Sequence, residues 1–255
     1  MSTTDSPRSR GGRAAILATA LLLLAGASMA EAALTTPVCL AQKPKERGNL
    51  RKCLATENGK ALQAKSFDLV TCQTKFDAKL AKLNAQATVA AIPCRYGVNT
   101  GAEAGTVTDY DTGLQWEQKT DDATVHDKDL VYTWSPALGP PSGTAFTGFL
   151  GTLNDGTSGD GSTTSGCFAG HCDWRLPAIG ELAGIVDASA PGCSTFTGPC
   201  VDQTAFGPTV ASGYFSASTV ASAPSIVWFV NFSGGGVSGA SKSGVGYVRA
   251  VRSGL

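Results

Sequence analysis

The segment CFAGHCDWRLPAIGEL, Cys167–Leu182, decides how the C-terminal part of the chain folds, because its cysteines belong either to an active centre or to a scaffold. It also holds one of the chain's two histidines, one arginine and two carboxylates. Paired zinc ligands are usually two residues apart. Here four residues separate Cys167 from Cys172, and six separate Cys193 from Cys200. The sequence also has no C-x-x-C redox pair, so the spacing favours disulfides.

The N-terminus is typical of a secretory signal peptide. Arg8, Arg10 and Arg13 precede the apolar run AAILATALLLLAGASMA, which ends at the small-residue site AEA. We therefore predict a signal peptide over residues 1–32, cleaved after Ala32, with an uncleaved anchor as the alternative. No later apolar stretch reaches the roughly 18 residues of a membrane span. The chain is expected to be exported, to the periplasm, the cell surface or the medium.

All eight cysteines follow the predicted cleavage site. An even number of cysteines in an exported chain is typical of a disulfide framework. They are Cys39, Cys53, Cys72, Cys94, Cys167, Cys172, Cys193 and Cys200.

Charge divides the chain into two predicted domains. Residues 33–95 carry eleven Lys/Arg against four Asp/Glu, a net +7, whereas residues 96–255 carry six against fourteen, a net −8. The basic domain has three candidate roles: docking on the acidic domain, binding an anionic polymer, or presenting a solvated surface. Exposed charges are screened over about 8–10 Å at physiological salt, so we favour the polymer over docking in cis.

The basic domain is predicted to be a helical hairpin. Thr36 and Pro37 begin the first helix, which Pro44 and Gly48 are expected to bend or break. A turn is predicted at ENGK, residues 57–60, and Ser66 caps a second helix. Apolar residues recur at helical spacing in this second helix. They are Cys72, Phe76, Leu80 and Leu83.

Two helices of this size bury little surface and need covalent links. Cys39 and Cys53 lie fourteen residues apart, close to four helical turns, and so share a face. Antiparallel geometry favours pairing Cys53 with Cys72 and Cys39 with Cys94, which is one of the three connectivities open to four cysteines.

The acidic domain is predicted to be α+β with an antiparallel sheet. GTVTDYDTGLQWEQ, residues 105–118, indicates a β-hairpin with Leu114 and Trp116 alternating on its return strand. LPAIGELAGIVDAS, residues 176–189, predicts a helix. SIVWFVNFSGG and GYVRAVR predict strands near the C-terminus, the first with Ile226, Trp228, Val230 and Phe232 on one face. Strands at both ends with helices between them favour this class.

The order of these motifs resembles the Lcl C-terminal domain family. GTVTDYDTGLQW, DWRLPAIGEL, GYFSAST, WFVNFSGG and GYVRAVR occur in the family's order over residues 100–254. The resemblance implies a branch of the C-type-lectin-like fold that formylglycine-generating enzymes share: an antiparallel sheet with flanking helices, here preceded by the disulfide-linked helical hairpin.

The resemblance implies that the family motifs are structural. The scaffold interpretation also pairs Cys167 with Cys172 and Cys193 with Cys200, each closing a small loop. The residues expected to hold the scaffold are Trp116, Asp173, Trp174, Arg175, Leu176, Pro177, Glu181, Trp228, Tyr247 and Arg249.

The sequence predicts no metal site and no cofactor. The calcium-binding patterns of true C-type lectins, such as E-P-N, Q-P-D and W-N-D, are missing. Asp155 and Asp160 in NDGTSGDGS are weak calcium candidates, because calcium needs six to eight oxygen ligands.

Few residues suit catalysis. His126 and His171 are the only histidines available as general bases at neutral pH, and His126 is expected in an exposed loop. No G-x-S-x-G elbow, phosphate loop or dinucleotide fingerprint occurs, so no catalytic residue is assigned. We therefore expect a non-enzymatic binding or adhesion module for a surface glycan or other anionic polymer, with no nucleic-acid partner. The alternatives are an enzyme of the formylglycine-generating or hydrolase type and a structural envelope protein without a ligand.

Overall fold

The computed structural model describes residues 36–90, 93–155 and 166–254; the predicted signal peptide lies outside them. The helices are α1 (Thr36–Leu62), α2 (Leu69–Val89), α3 (Gly151–Asn154), α4 (Ile179–Ala183) and α5 (Gln203–Phe206). The strands are β1 (Tyr96–Val98), β2 (Thr106–Asp109), β3 (Leu114–Glu117), β4 (Tyr132–Thr133), β5 (Gly213–Val220), β6 (Ala223–Asn231), β7 (Gly236–Ser241), β8 (Val245–Gly246) and β9 (Val251–Ser253).

The N-terminal helices form the predicted hairpin, but its turn lies later in the chain. Helix α1 continues through Pro44 and through the expected turn at residues 57–60. Glu57 explains the extension: it accepts a hydrogen bond from Lys60 at 2.6 Å and another from the main-chain N–H of Asp68 at 2.9 Å. Asp68, rather than Ser66, caps α2 by accepting from the N–H of Thr71 at 2.9 Å.

Two disulfides link the hairpin, and both are the pairs predicted from antiparallel geometry. Cys53 pairs with Cys72 near the turn, and Cys39 pairs with Cys94 at the open end, each with a Cα–Cα distance of 5.8 Å. Few apolar residues of the hairpin are buried besides the cysteines; they are Phe76, Leu83 and Ala87. The covalent links therefore replace a large core.

The remainder of the chain is α+β with antiparallel strand pairing, as predicted. One sheet has the order β1-β2-β3-β9, a second pairs β4 with β8, and a third has the order β5-β6-β7. The β2–β3 hairpin is in the register that pairs Val107 with Trp116. Two buried clusters fill the interior, one around Trp116 and Phe206 and the other around Trp134 and Trp174.

Two predicted elements differ from the structure. The helix expected over residues 176–189 is only α4, five residues long, because the chain leaves it to form the loop that Cys193 and Cys200 close at a Cα–Cα distance of 4.7 Å. The face predicted for β6 is buried only in its second half: Val230 and Phe232 are fully buried, whereas Ile226 and Trp228 are partly exposed. Val227, on the opposite face, is also fully buried and belongs to the other cluster, because both faces of this sheet are covered.

Removing the outer hairpin disulfide is expected to loosen the hairpin selectively. Cys39→Ala/Cys94→Ala should lower hairpin stability by about 2–5 kcal/mol. Amide hydrogen exchange should then accelerate over residues 36–90, while the sheets keep their protection. Cys167→Ala/Cys172→Ala is the matched control, because that pair closes a local loop with a sequence separation of 5. Faster exchange in the sheets than in the hairpin would contradict this dependence.

Candidate functional site

The hairpin docks on the sheet-bearing part of the chain at the β2–β3 turn. Lys43, only 1% exposed, forms an ion pair with Asp111 in that turn. Asn84 of α2 donates to the other oxygen of Asp111 at 3.2 Å. Arg47 donates to the carbonyls of Tyr110 and Asp111 at 3.2 and 2.8 Å. A single turn therefore receives side chains from both helices.

Gly113 makes room for this docking. Its φ is +77°, a conformation that side-chain-bearing residues rarely adopt, and a Cβ placed there would lie 2.7 Å from the guanidinium carbon of Arg47. The D-x-D-T-G turn thus has two functions, closing the β-hairpin and receiving Arg47. Sequence reasoning missed this contact, although Lys43 and Arg47 follow Cys39 by four and eight residues and so share the buried face of α1.

The three lysines of α2 lie on the side of the helix that faces away from the β2–β3 turn. An α-helix turns about 100° per residue. Lys75 precedes Asn84 by nine residues, or two and a half turns, and therefore lies on the opposite side of the helix. Lys79 and Lys82, five and two residues before Asn84, lie on the same far side. All three are exposed.

Two lysines of α1 extend this surface. Lys45 lies two residues after Lys43 and Lys52 lies nine residues after it, so both point away from the docking contact. We define the outer lysine face as Lys45, Lys52, Lys75, Lys79 and Lys82. All five are exposed, and none forms an ion pair with another described residue.

None of the acids of the hairpin forms an ion pair with this face among the described residues. Glu46 accepts from Asn49 at 3.2 Å, and Asp77 accepts from Gln73 at 2.8 Å. Glu57 and Asp68 hold the turn between the helices. The net +7 of residues 33–95 is therefore concentrated on exposed side chains.

The sheet-bearing part offers no comparable cationic surface. Of its six basic residues, three are buried, Lys119 and Lys242 at 4% exposure and Arg249 at 0%. The other three are held in ion pairs at 2.7 Å. These pairs are Lys128 with Asp129, Arg175 with Glu181, and Arg252 with Asp173.

A buried charge network lies at the end of β3. The Oε1 atom of Glu117 lies 2.9 Å from both Lys119 Nζ and His126 Nδ1, and Oε2 accepts from the N–H of Ala250 at 3.0 Å. The expectation of an exposed His126 is wrong: it is 5% exposed, with its ring 4.2 Å from that of Phe168. The loop after β3 folds back and carries the imidazole to Glu117.

Electrostatics favour the ionised form of Glu117. Burial raises the pKa of its carboxyl, but the Lys119 ammonium and the His126 hydrogen bond outweigh that effect and hold the pKa below its ordinary value. Burial lowers the pKa of Lys119, and Glu117 offsets part of that shift. Each group therefore depends on the other for its charge.

Three of the residues expected to hold the scaffold lie between segments that are distant in sequence. Arg249 donates to the carbonyls of Glu117 and Phe206, both at 2.8 Å. Trp116 is fully buried, and the Tyr247 ring stacks on that of Tyr214 at 5.4 Å. These contacts join the C-terminal segment to β3 and β5.

A disulfide, a buried tryptophan and an ion pair hold the segment of residues 167–182. Cys167 pairs with Cys172, at a Cα–Cα distance of 5.1 Å. Trp174 is buried and donates from its indole nitrogen to the carbonyl of Phe168 at 2.9 Å. Arg175 binds both carboxylate oxygens of Glu181 at 2.7 Å. Leu176 and Pro177 are buried beside them, and His171 lies 3.7 Å from Glu103 at the surface.

One group of three carboxylates among the described residues brings possible metal ligands together, but their oxygens have other partners. Asp160 lies outside the described residues, and Asp155 directly follows α3. Asp121, Asp127 and Asp129 bring carboxylate oxygens within 4.8 Å of one another. The ammonium of Lys128 lies 3.0 Å from Asp121 and 2.7 Å from Asp129. Both carboxylate oxygens of Asp127 accept hydrogen bonds from backbone N–H groups.

A cavity of about 460 Å³ opens beside β1. Its lining includes Arg95, Tyr96, Asp187 and Asp202. Arg95 is bound to Asp109 at 2.9 and 3.2 Å, which leaves the two lining aspartates as the unneutralised charges. The cavity therefore disfavours anions, in contrast to the outer lysine face.

The sequence model of the Lcl C-terminal domain matches residues 105–252, more than half of the chain. The chain belongs to the Lcl C-terminal domain family. The family predicted from motif order is thus confirmed, and the matched region contains the β2–β3 turn and the Glu117 network. No curated protein matches the chain. Within the described ranges, no helix is both long and apolar enough to cross a membrane.

Breaking the docking ion pair of this family member should destabilise it. Asp111→Ala leaves the Lys43 ammonium buried without its partner, which we expect to cost about 3 kcal/mol. Urea unfolding measures the loss, and exchange of the α1 amides reports undocking. Asp129→Ala is the control, because its pair with Lys128 is exposed and contributes little. Equal effects of the two substitutions would show that the hairpin is not held at Asp111.

The Glu117 network predicts a pH-dependent stability. A carboxyl whose folded pKa is lowered stabilises the fold above its ordinary pKa of 4.5, and this contribution is lost as pH falls below that value. Glu117→Gln should therefore cost about 3–5 kcal/mol at pH 7, since Lys119 stays buried without a counter-charge. The difference from wild type should shrink below pH 4.5. Glu103→Gln, at a half-exposed side chain, is the control. A difference that stays constant with pH would refute this role.

Proposed function

We propose that the chain is an exported, non-enzymatic binding module that recognises an anionic polymer, such as a sulfated glycan or lipopolysaccharide. The outer lysine face is the contact surface. The sheet-bearing part, for which we propose the C-type-lectin-like branch that the family resemblance implies, holds and orients the hairpin.

The observation that carries the proposal is the division of basic residues into two sets. Lys43 and Arg47 are used in docking, and every basic side chain of the sheet-bearing part is buried or paired. The outer lysine face remains, together with Arg51 and Lys65, as a group of exposed charges that form no ion pair among the described residues. A polymer with closely spaced charges binds several such lysines at once and releases counterions.

Export is supported by the four disulfides, which persist in oxidising compartments. The disulfides also weigh against the formylglycine-generating alternative. Those enzymes act through cysteine thiols, and all eight cysteines of this chain are paired.

Retention on heparin tests the proposal with the full exported chain. Lys75→Ala/Lys79→Ala/Lys82→Ala should elute at lower salt than wild type. The slope of log affinity against log salt should fall by about one for each lysine removed, about three in total. Because the three positions are exposed on α2, the thermal unfolding midpoint should stay unchanged.

Lys128→Ala is the matched control, since it removes one cation from the sheet-bearing part and should not alter retention. If the triple variant binds heparin like wild type, the outer lysine face is not the contact surface. If Lys128→Ala weakens binding equally, recognition depends on net charge rather than on this face.

A further inference from the structure

One strand edge of the β5-β6-β7 sheet is open among the described residues. The β5 edge is covered, because Tyr214 bridges to Tyr247 and the N–H of Phe215 donates to the Tyr247 carbonyl at 2.9 Å. Strand β7 pairs only with β6, over six residues. Its residues are mostly exposed, in the sequence GVSGAS.

The ladder geometry identifies which groups of β7 point outward. The N–H of Lys242 donates to the carbonyl of Ser225 at 3.0 Å, and this pair continues the register of β6 with β7. Directly opposed pairs in an antiparallel ladder alternate between bonded and non-bonded. The N–H groups of Val237, Gly239 and Ser241 therefore point away from β6. The Ser241 carbonyl accepts from Gly244 at 3.1 Å, which leaves the open edge centred on Val237 and Gly239.

This edge lacks the usual protection against pairing. Exposed edges commonly carry lysine, proline, inward charges or bulges. Strand β7 has no charge and no proline, and its register with β6 is unbroken. The one inward charge beside this edge, Lys242, lies beyond the open positions Val237 and Gly239: it is 4% exposed, and its Nζ lies 4.2 Å from the centre of the Trp134 ring. Its ammonium also donates to the Gly139 carbonyl at 3.2 Å.

We propose that β7 pairs antiparallel with β7 of a second copy of this chain, about a two-fold axis at Ser238. Val237 then lies opposite the partner's Gly239. A two-fold contact places the same strand against itself, so any charge on it would meet its like. The uncharged sequence GVSGAS avoids that repulsion. Its small side chains also form no pockets to select a different peptide, which favours a second copy.

The dimer is concentration-dependent and closed. A six-residue edge buries far less than the roughly 800 Å² per partner of a typical stable interface. Two-fold pairing uses both open edges, so assembly stops at two chains. The dimer carries two outer lysine faces, but the pairing itself does not rest on polymer binding.

Sedimentation equilibrium of the oxidised, exported chain tests the pairing. The weight-average mass should rise from one chain towards a twofold value as concentration increases. Val237→Pro removes an outward N–H without removing a β6 ladder bond, and should stay at the mass of one chain. Val237→Thr keeps the N–H and should dimerise like wild type. Circular dichroism and the unfolding midpoint check that each variant is folded.

Two further measurements keep the test decisive if Val237→Pro does not fold. Ser238→Lys places like charges on the facing strands and should also stay at one chain, whereas Ser238→Thr should not. In wild type, exchange of the Val237 and Gly239 amides should slow about fivefold or more from dilute to concentrated solution. A single-chain mass at all concentrations, a mass beyond two chains, or dimers of folded Val237→Pro would each overturn the proposal.

Discussion

The sheet-bearing part of the chain depends on the contacts that Glu117 makes. Its carboxylate holds Lys119 and His126 at 2.9 Å and the backbone of Ala250 at 3.0 Å, while its carbonyl accepts from Arg249 at 2.8 Å. One residue thus joins β3, the loop after it and the C-terminal segment. A buried carboxylate is costly unless it is paired and hydrogen-bonded. Only the folded arrangement supplies these partners together.

The hairpin is stabilised by a different principle. It has little apolar core, so two disulfides and one docked turn fix its position. Sequence charge suggested that docking in cis would be weak, because exposed charges are screened. The structure instead shows a specific contact, in which Lys43 is removed from water and paired with Asp111. The net charges of the two parts therefore do not predict whether the hairpin docks. Salt screens a single buried ion pair much less than it screens exposed charges.

The sequence sufficed for the features that local rules govern. The four disulfides follow from short loops and antiparallel helices, and the β2–β3 hairpin follows from alternation around D-x-D-T-G. It did not suffice where side chains distant in sequence act together. Nothing near His126 in sequence indicates that its ring lies against Phe168, and the burial of Lys119 follows from its contact with Glu117. The turn expected at residues 57–60 was wrong for a related reason, because a contact from Asp68 overrides the turn propensity of Asn58 and Gly59.

Docking and polymer binding are compatible because they use opposite sides of the same helices. Asn84 and Lys43 face the β2–β3 turn, whereas Lys75 and Lys52 each lie nine residues away and so point outward. The turn fixes the rotation of both helices, and that rotation determines which lysines remain exposed. Binding a polymer on the outer lysine face therefore leaves the Lys43–Asp111 pair intact. A docked hairpin also presents its lysines in a fixed arrangement, which reduces the conformational entropy lost when several of them bind one chain.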